Sequence, residues 1–161
     1  MQRTFISSLI GLALLGVSSL AQAQVTIAEP WVRATVTGQQ ATGAFMTLQS
    51  TDQAKLVGVR SPLTQQAEIH EMVMDKDVMR MRQVQHIDLP AGKAVELKPG
   101  SYHIMLMGLK QQVNAGSDVD LTLLIETAAG QKQEIAVRAP VRALNAKASQ
   151  GHHGGHGHKA H

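Results

Sequence analysis

Histidine and methionine crowd into one stretch of this sequence, from His70 to Met105. Four of the eight methionines lie between residues 72 and 81, and the stretch ends in His-x-Met at residues 103–105. The chain contains no cysteine. Imidazole nitrogen together with thioether sulfur is the ligand set that a soft monovalent ion such as Cu(I) prefers, and that zinc, magnesium and calcium do not. The residue types therefore predict a copper site.

The elements that must position these ligands are short strands. From Gln24 onward the hydrophobic pattern has period two, its runs are bounded by Gly, Pro and Asp, and no long apolar stripe has helical spacing. This pattern predicts an all-β fold, either a β-sandwich or a Greek-key barrel. The predicted strands are 25–28, 31–35, 43–49, 55–59, 67–74, 78–84, 94–97, 102–109, 119–126 and 132–141.

A hairpin centred near residues 75–78 decides whether the ligands share a face. Directly opposed residues of an antiparallel pair lie on the same face, so the even-numbered His70 and the odd-numbered Met81 share one only if opposed numbers sum to an odd value. A two-residue loop at 75–76 and a four-residue loop at 75–78 both satisfy this condition. A plain three-residue loop at 75–77 would split the set unless a bulge restored it. The polar loop residues do not decide between these loops.

The last strand of the stretch presents ligands in alternation. It should carry His103, Met105 and Met107 on one face and Tyr102, Ile104 and Leu106 on the other. His103 and Met105 then form a preset pair that one His and one Met from elsewhere would complete. We interpret Met46 and Met107 as core fillers, the usual role of methionine. His86, beyond the hairpin, is predicted to be a surface residue. The predicted Cu(I) ligands are His70, Met81, His103 and Met105.

The first 23 residues have the features of a cleaved signal peptide. Arg3 supplies a positive n-region, residues 5–20 an apolar stretch interrupted by serines, and Ala21-Gln22-Ala23 a small-x-small cleavage pattern. The sequence thus predicts a periplasmic protein whose mature chain begins at Gln24, without a membrane or lipid anchor. The net charge of +3 falls to +2 when Arg3 is removed. The sequence has no run of Lys and Arg and no cluster of aromatic residues beside this small positive charge, so nucleic acid is not an expected partner.

Residues 24–141 are long enough for one folded domain, and the composition then changes. Residues 142–161 are rich in Ala, Lys, Gly and His, and they are predicted to be disordered because they cannot bury a core. The histidines of this tail form a second candidate site, for Cu(II), Ni(II) or Zn(II). They are His152, His153, His156, His158 and His161. The alternatives are a solubilising tail and a purification tag, and the Gly, Lys and Ala between the histidines argue against a tag.

The order His70, ten residues, Met81, twenty-one residues, His103-x-Met105 resembles the metal-binding motif of the PCu(A)C family of periplasmic copper chaperones. The flanking segments are similar to that family as well, and the resemblance extends over residues 25–141. These segments are EPWVRAT (29–35), GAFMTL (43–48), HEMVMDKDVMRMR (70–82) and LKPGSYHIMLMGLK (97–110).

The resemblance implies a cupredoxin-like Greek-key β-barrel that binds one Cu(I) through two His and two Met. It also implies delivery of copper to the dinuclear centre of cytochrome c oxidase, with the copper-bearing oxidase subunit, a Sco-type thiol protein or both as partners. Ligand chemistry agrees, because neutral thioethers hold Cu(I) selectively yet release it to a thiolate. An oxidising compartment also suits methionine better than cysteine as the soft ligand.

Two other functions compete with a chaperone. An enzyme is disfavoured, since the sequence has no GxSxG elbow and no cysteine nucleophile, and the expected mature terminus is Gln24 rather than the His that chelating copper monooxygenases use. A periplasmic copper-buffering or resistance protein without a delivery partner needs the same site. The sequence alone does not separate buffering from delivery.

Overall fold

The computed structural model describes residues 24–144, and within them every regular element is a β-strand. The predicted signal peptide and the tail histidines lie outside the described residues. The strands are β1 (Val25–Arg33), β2 (Ala41–Ser50), β3 (Ala54–Arg60), β4 (Gln66–Asp75), β5 (Val78–Gln83), β6 (Ile87–Leu89), β7 (Ala94–Leu97), β8 (His103–Met107), β9 (Asp118–Thr127) and β10 (Lys132–Arg142).

Alternation of apolar and polar residues explains why these segments are strands with one buried face. In β9, Val119, Leu121, Leu123 and Ile125 are buried while the residues between them are more exposed. Because successive side chains of a strand point to opposite faces, such a segment covers a core with one face and meets water with the other. The predicted all-β fold is confirmed.

The strands follow the order β5-β4-β8-β2-β1-β10-β9-β3-β6, and β7 pairs with β2 beside this path. Neighbouring strands are antiparallel, except that β1 pairs with β10 in parallel at Val32 and Arg33. The hairpin β4–β5 lies at one end of the order, where β4 is the one strand of residues 24–144 that pairs with β5.

Both halves of the strand order contribute to a single hydrophobic core. Leu48 and Ile104 come from the half that contains the hairpin, and Leu56 and Leu123 come from the other half; all four are fully buried. Met46 belongs to the same core, as predicted. Since Ile104 and Leu106 are buried here, the alternate residues of β8 must face away from the core.

The strand ends lie within two residues of the predicted ones, but the number of strands differs near β1 and at β6. Residues 25–35 were expected to form two strands, but β1 continues through a register shift between Ala28 and Trp31, where Glu29 has a φ of 48°. This is a β-bulge, which bends a strand without ending it. Strand β6 was not predicted, because three residues are too few to show a period. β10 extends to Arg142, one residue past the predicted domain boundary.

Candidate metal centre

Two buried imidazoles face each other across neighbouring strands. His70 of β4 is paired directly with His103 of β8, and their ring centroids are 5.9 Å apart. Their exposed fractions are only 8% for His70 and 6% for His103. Buried polar rings need partners to offset the loss of water, so each ring nitrogen should have one.

The two nitrogens of His103 have different partners. Nδ1 lies 3.0 Å from the carbonyl oxygen of Ser101, and Nε2 lies 3.2 Å from the sulfur of Met81. A carbonyl oxygen can only accept a hydrogen bond, so Nδ1 carries the proton and Nε2 keeps its lone pair. His103 Nε2 and Met81 Sδ are therefore a nitrogen and a sulfur donor placed side by side.

His70 is oriented by a carboxylate. Its Nε2 lies 2.8 Å from Oε2 of Glu68, while its buried Nδ1 has no hydrogen-bond partner among the described residues. If Nε2 donates its proton to the carboxylate, the lone pair of the imidazole is on Nδ1. A buried lone pair without a donor fits a metal ligand, and a carboxylate behind the ring is the usual arrangement for a ligating histidine.

The register of the β4–β5 hairpin places Met81 on this face. Met72 pairs with Met81, and Asp75 pairs with Val78, so the loop is the two residues Lys76 and Asp77. Both have positive φ, 48° and 63°, which is typical of a type I′ turn. The predicted common face is confirmed. Met72 is opposite Met81, as expected for the four-residue loop at 75–78. Because Asp75 and Val78 also pair with each other, the loop that remains has two residues.

Met105 lies on the same face of β8 as His103 and is directly opposite Glu68 of β4. It is half-buried and, with His103 and Met72, lines a cleft of about 290 Å³. The structure thus brings His70, Met81 and His103 together, with Met105 beside them on the shared face.

An aromatic wall lines one side of the cleft. The ring of Phe45 lies 6.4 Å from the His103 ring and 4.4 Å from the indole of Trp31, centroid to centroid. The guanidinium of Arg33 lies over Phe45, at 5.5 Å. Gly43, which pairs with Met105, leaves room for Phe45, because a Cβ at this position would be 2.7 Å from Cζ of that ring.

Tyr102, one residue before β8, lies beside Glu71 of the hairpin. Burial raises the pKa of the Tyr102 phenol, and the neighbouring Glu71 carboxylate raises it further. Glu71 also accepts hydrogen bonds from the guanidinium of Arg82, its partner across the hairpin. Glu71 and Arg82 thus lie on the hairpin face opposite to the one that carries His70 and Met81.

Of the two remaining predictions, one holds and one is wrong. His86 is exposed, with Asp88 3.6 Å away, as predicted for a surface residue. Met107 is not a core filler: it is half-buried and absent from the core, because alternation along β8 puts it on the face of His103 and Met105.

Sequence reasoning missed three contributors to the site: Glu68, Phe45 and the Ser101 carbonyl. Glu68 had a usable signal, since it lies two residues before His70 and must share its strand face. Phe45 and Ser101 had no such signal in the sequence. The position of an aromatic ring on another strand and the direction of a backbone carbonyl both depend on tertiary packing.

Within residues 24–144, no three His, Asp or Glu side chains group closely enough to hold a metal ion. The described donors that do converge are imidazoles and thioethers. The described part of the chain likewise includes no helix with the length and hydrophobicity needed to span a membrane.

Two curated proteins are similar to this chain. "Putative lipoprotein Lxx21020" of Leifsonia xyli subsp. xyli is 34% identical over 102 residues, which are 62% of this chain and 60% of that protein. "Uncharacterized protein RP573" of Rickettsia prowazekii is 33% identical over 112 residues, 66% of this chain and 62% of that protein. The chain therefore matches about three fifths of the length of each relative.

Solved structures show the same fold. The copper-bound PCuAC domain from PmoF2 has a TM-score of 0.59 and 23% identity, covering 76% of this chain and 99% of that domain. The solution structure of CuI-DR1885 from Deinococcus radiodurans has a TM-score of 0.50 and 28% identity, covering 76% of this chain and 81% of that one. These likenesses confirm the predicted cupredoxin-like fold.

A family model described as "Putative lipoprotein LpqE-like" matches residues 25–141, which include every strand from β1 to β9 and nearly all of β10. The match also includes all four predicted Cu(I) ligands and the hairpin that positions one of them. By this match, the chain belongs to the LpqE-like family.

Proposed function

We propose that this protein is a periplasmic copper chaperone that carries one Cu(I) on His70, Met81, His103 and Met105. The observation that supports it best is the contact between Nε2 of His103 and the sulfur of Met81, 3.2 Å apart on strands that are not neighbours. A nitrogen lone pair and a thioether brought together from two strands are a soft-metal ligand pair.

The donor set suits a cargo that must be released. Two neutral imidazoles and two thioethers leave the Cu(I) complex cationic, and none of these ligands holds Cu(I) as strongly as a thiolate. Half of Met81 is exposed to solvent, so an incoming ligand can reach the metal from that side. Transfer to an acceptor with cysteine ligands is therefore favourable, and the return of copper is not.

Comparison with relatives supports the same cargo. The DR1885 structure is described as a Cu(I) form, and the PmoF2 domain as copper-bound. The word lipoprotein in the names of the family and of the Leifsonia relative supports export. We propose further that the exported protein is periplasmic and that its signal peptide, residues 1–23, is removed. We also propose that its role is not catalytic.

The proposed acceptor is the dinuclear copper centre of cytochrome c oxidase, reached directly or with a Sco-type thiol protein. The motif of four spaced ligands supports this assignment by its resemblance to the PCu(A)C chaperones. The tail histidines at positions 152, 153, 156, 158 and 161 are proposed as an accessory Cu(II) site that captures copper near the barrel.

A transfer experiment tests delivery. The Cu(I)-loaded protein is mixed with a purified copper-binding domain of the oxidase, with and without a reduced Sco-type protein, and copper is measured on each after separation. We expect copper on the acceptor, and no return when loaded acceptor meets metal-free protein. Retention of copper by this protein under every condition would instead assign it to copper buffering.

A further inference from the structure

Beyond the proposed ligands, the hairpin carries a second group of thioethers. Exposed large hydrophobic side chains are few in residues 24–144, and three of them are hairpin methionines: Met74 (65% exposed), Met79 (45%) and Met81 (50%). Met72, half-buried, lies between them and the His70 side of the hairpin. An exposed apolar cluster of this kind is a feature that marks binding sites.

The pairing puts these methionines in two rows. Met72 is directly opposite Met81, and Met74 is directly opposite Met79. Directly opposed Cβ atoms lie about 5 Å apart, and rows two residues apart are separated by roughly 7 Å. Methionine side chains are long and flexible, so sulfurs from both rows can reach one ion between them.

The other face of the same hairpin has a different chemistry. There, Arg82 pairs with Glu71, and Arg80 forms an ion pair with Asp75. Thioethers thus occupy every position of one face beyond His70, while the charged side chains and two valines, Val73 and Val78, occupy the other. This separation excludes the simple explanation that methionine merely fills the hairpin wherever an apolar residue is tolerated.

The hairpin backbone holds most of this arrangement, with one further tie at Met72, whose N–H donates to the carbonyl oxygen of Ser101 at 3.3 Å. Within residues 24–144, the ladder of β4 with β8 runs from Gln66 to His70, and β5 pairs with β4 alone. The turn at Lys76 and Asp77 keeps the rows in register. The thioether face is therefore preset and open to solvent on a projecting two-stranded ribbon.

We propose that Met72, Met74 and Met79 form a second, weaker site for a soft monovalent ion, through which Cu(I) reaches the main site. Three thioethers suit Cu(I) and offer no hard donor to Mg²⁺ or Ca²⁺. Met81 faces Met72 across the hairpin and contacts His103, so it connects the two sites. The inference rests on the proposed function, since it supplies the entry route to that site.

The test uses Ag(I), a soft monovalent ion, added to the full-length protein with ¹³C-labelled methionine methyl groups. We expect the Met81 and Met105 methyl signals to shift with the first equivalent, and those of Met74 and Met79 in a later, saturable phase. The double variant M74L/M79L keeps the apolar volume and should weaken the later phase at least about tenfold, while first-equivalent binding changes little. M107L, which removes another partly exposed thioether, is the matched control.

Two results would overturn the second site. One is methyl signals of Met74 and Met79 that stay unchanged beyond the first equivalent, and the other is a later phase that survives M74L/M79L. The double variant H70A/H103A distinguishes failure of the second site from failure of the proposed function. It should lose the first binding phase, which belongs to the main site, and retain the later phase, which belongs to the hairpin. If the first phase is absent from the unaltered protein, the proposed function fails, whatever the hairpin does.

Discussion

The sulfur of Met81 lies 3.2 Å from Nε2 of His103 although β4 separates their strands in the sheet. Met81 must therefore reach across β4, and the contact exists only while the hairpin keeps its register. A shift of one residue would turn Met81 to the face of Glu71 and would put Arg80 and Arg82 on the face of His70 instead. The candidate metal centre thus depends on the turn at its far end as much as on its own ligands.

Removing any one ligand should weaken Cu(I) binding. We expect His70→Ala, Met81→Ala, His103→Ala and Met105→Ala each to lower the affinity at least about tenfold, the lower limit of what loss of a supporting partner costs. Competition with a chromophoric Cu(I) chelator measures this. His86→Ala and Met46→Leu are the controls, with leucine chosen at position 46 because alanine would leave a cavity in the core. Equal Cu(I) affinities in all six variants would contradict the proposed site.

Glu68 should act through His70. Glu68→Ala removes the carboxylate that accepts from Nε2, and we expect Cu(I) affinity to fall about 10- to 100-fold, as for other groups that orient a ligand. Glu68→Gln keeps an acceptor oxygen and should fall less. The order of the three proteins in the same chelator competition checks the prediction. A carboxylate that bound copper itself would show no rescue by glutamine.

Gly43 should be intolerant of a side chain. Gly43→Ala places a Cβ against the Phe45 ring, so we expect overpacking to lower the unfolding free energy by about 1–3 kcal/mol. We also expect weaker Cu(I) binding, because the displaced Phe45 ring lies next to the ring of His103. Chemical denaturation and chelator competition measure the two effects. The control is Gly58→Ala, where the Cβ would meet a flexible leucine terminus at 3.1 Å. Copper binding by that variant should be unchanged.

The turn should accept a better turn sequence. Lys76 and Asp77 both have positive φ, which Asn-Gly adopts at lower cost. Replacing the pair by Asn-Gly should raise the unfolding free energy by up to about 1 kcal/mol and leave Cu(I) affinity unchanged, since the register is already in place. Lower stability would mean that the turn in solution is of another type.

The tail and the barrel should differ in metal preference and in pH dependence. Imidazole binds metal only when neutral, and its ordinary pKa is about 6.5. A tail site built from several histidines should therefore lose Cu(II) steeply as the pH falls from about 6.5 to 5, whereas thioethers take up no protons. Truncation after Gln150 should abolish Cu(II) binding and spare Cu(I) binding, as followed by titration calorimetry. Unchanged Cu(II) binding would leave the tail only a solubilising role.

The sequence alone was sufficient for most of the strands and for the face that His70 and Met81 share. Both follow from period two, which is a local property of the backbone. Met107 shows the limit of residue statistics, since its strand position outweighed the usual role of methionine as a core filler. The turn of the hairpin shows a second limit. Lys76 and Asp77 both have positive φ, but neither is the Gly that would have indicated this from the sequence.

Contacts between strands distant in sequence were beyond local reasoning. Phe45 lies beside His103 because β2 pairs with β8, and neither segment alone predicts that pairing. The tautomer of His103 depends on the Ser101 carbonyl, whose direction is fixed by the folded backbone. Such features require the assembled sheet.

The stack of Trp31 on Phe45 has a practical consequence for studying the protein. Trp31 is the single tryptophan of the sequence, and the ring that it contacts lies next to His103. Tryptophan fluorescence therefore comes from one indole, which one phenyl ring separates from a candidate ligand. We expect the emission of Trp31 to change when copper binds or leaves, so that both events can be followed in real time without a dye or a label.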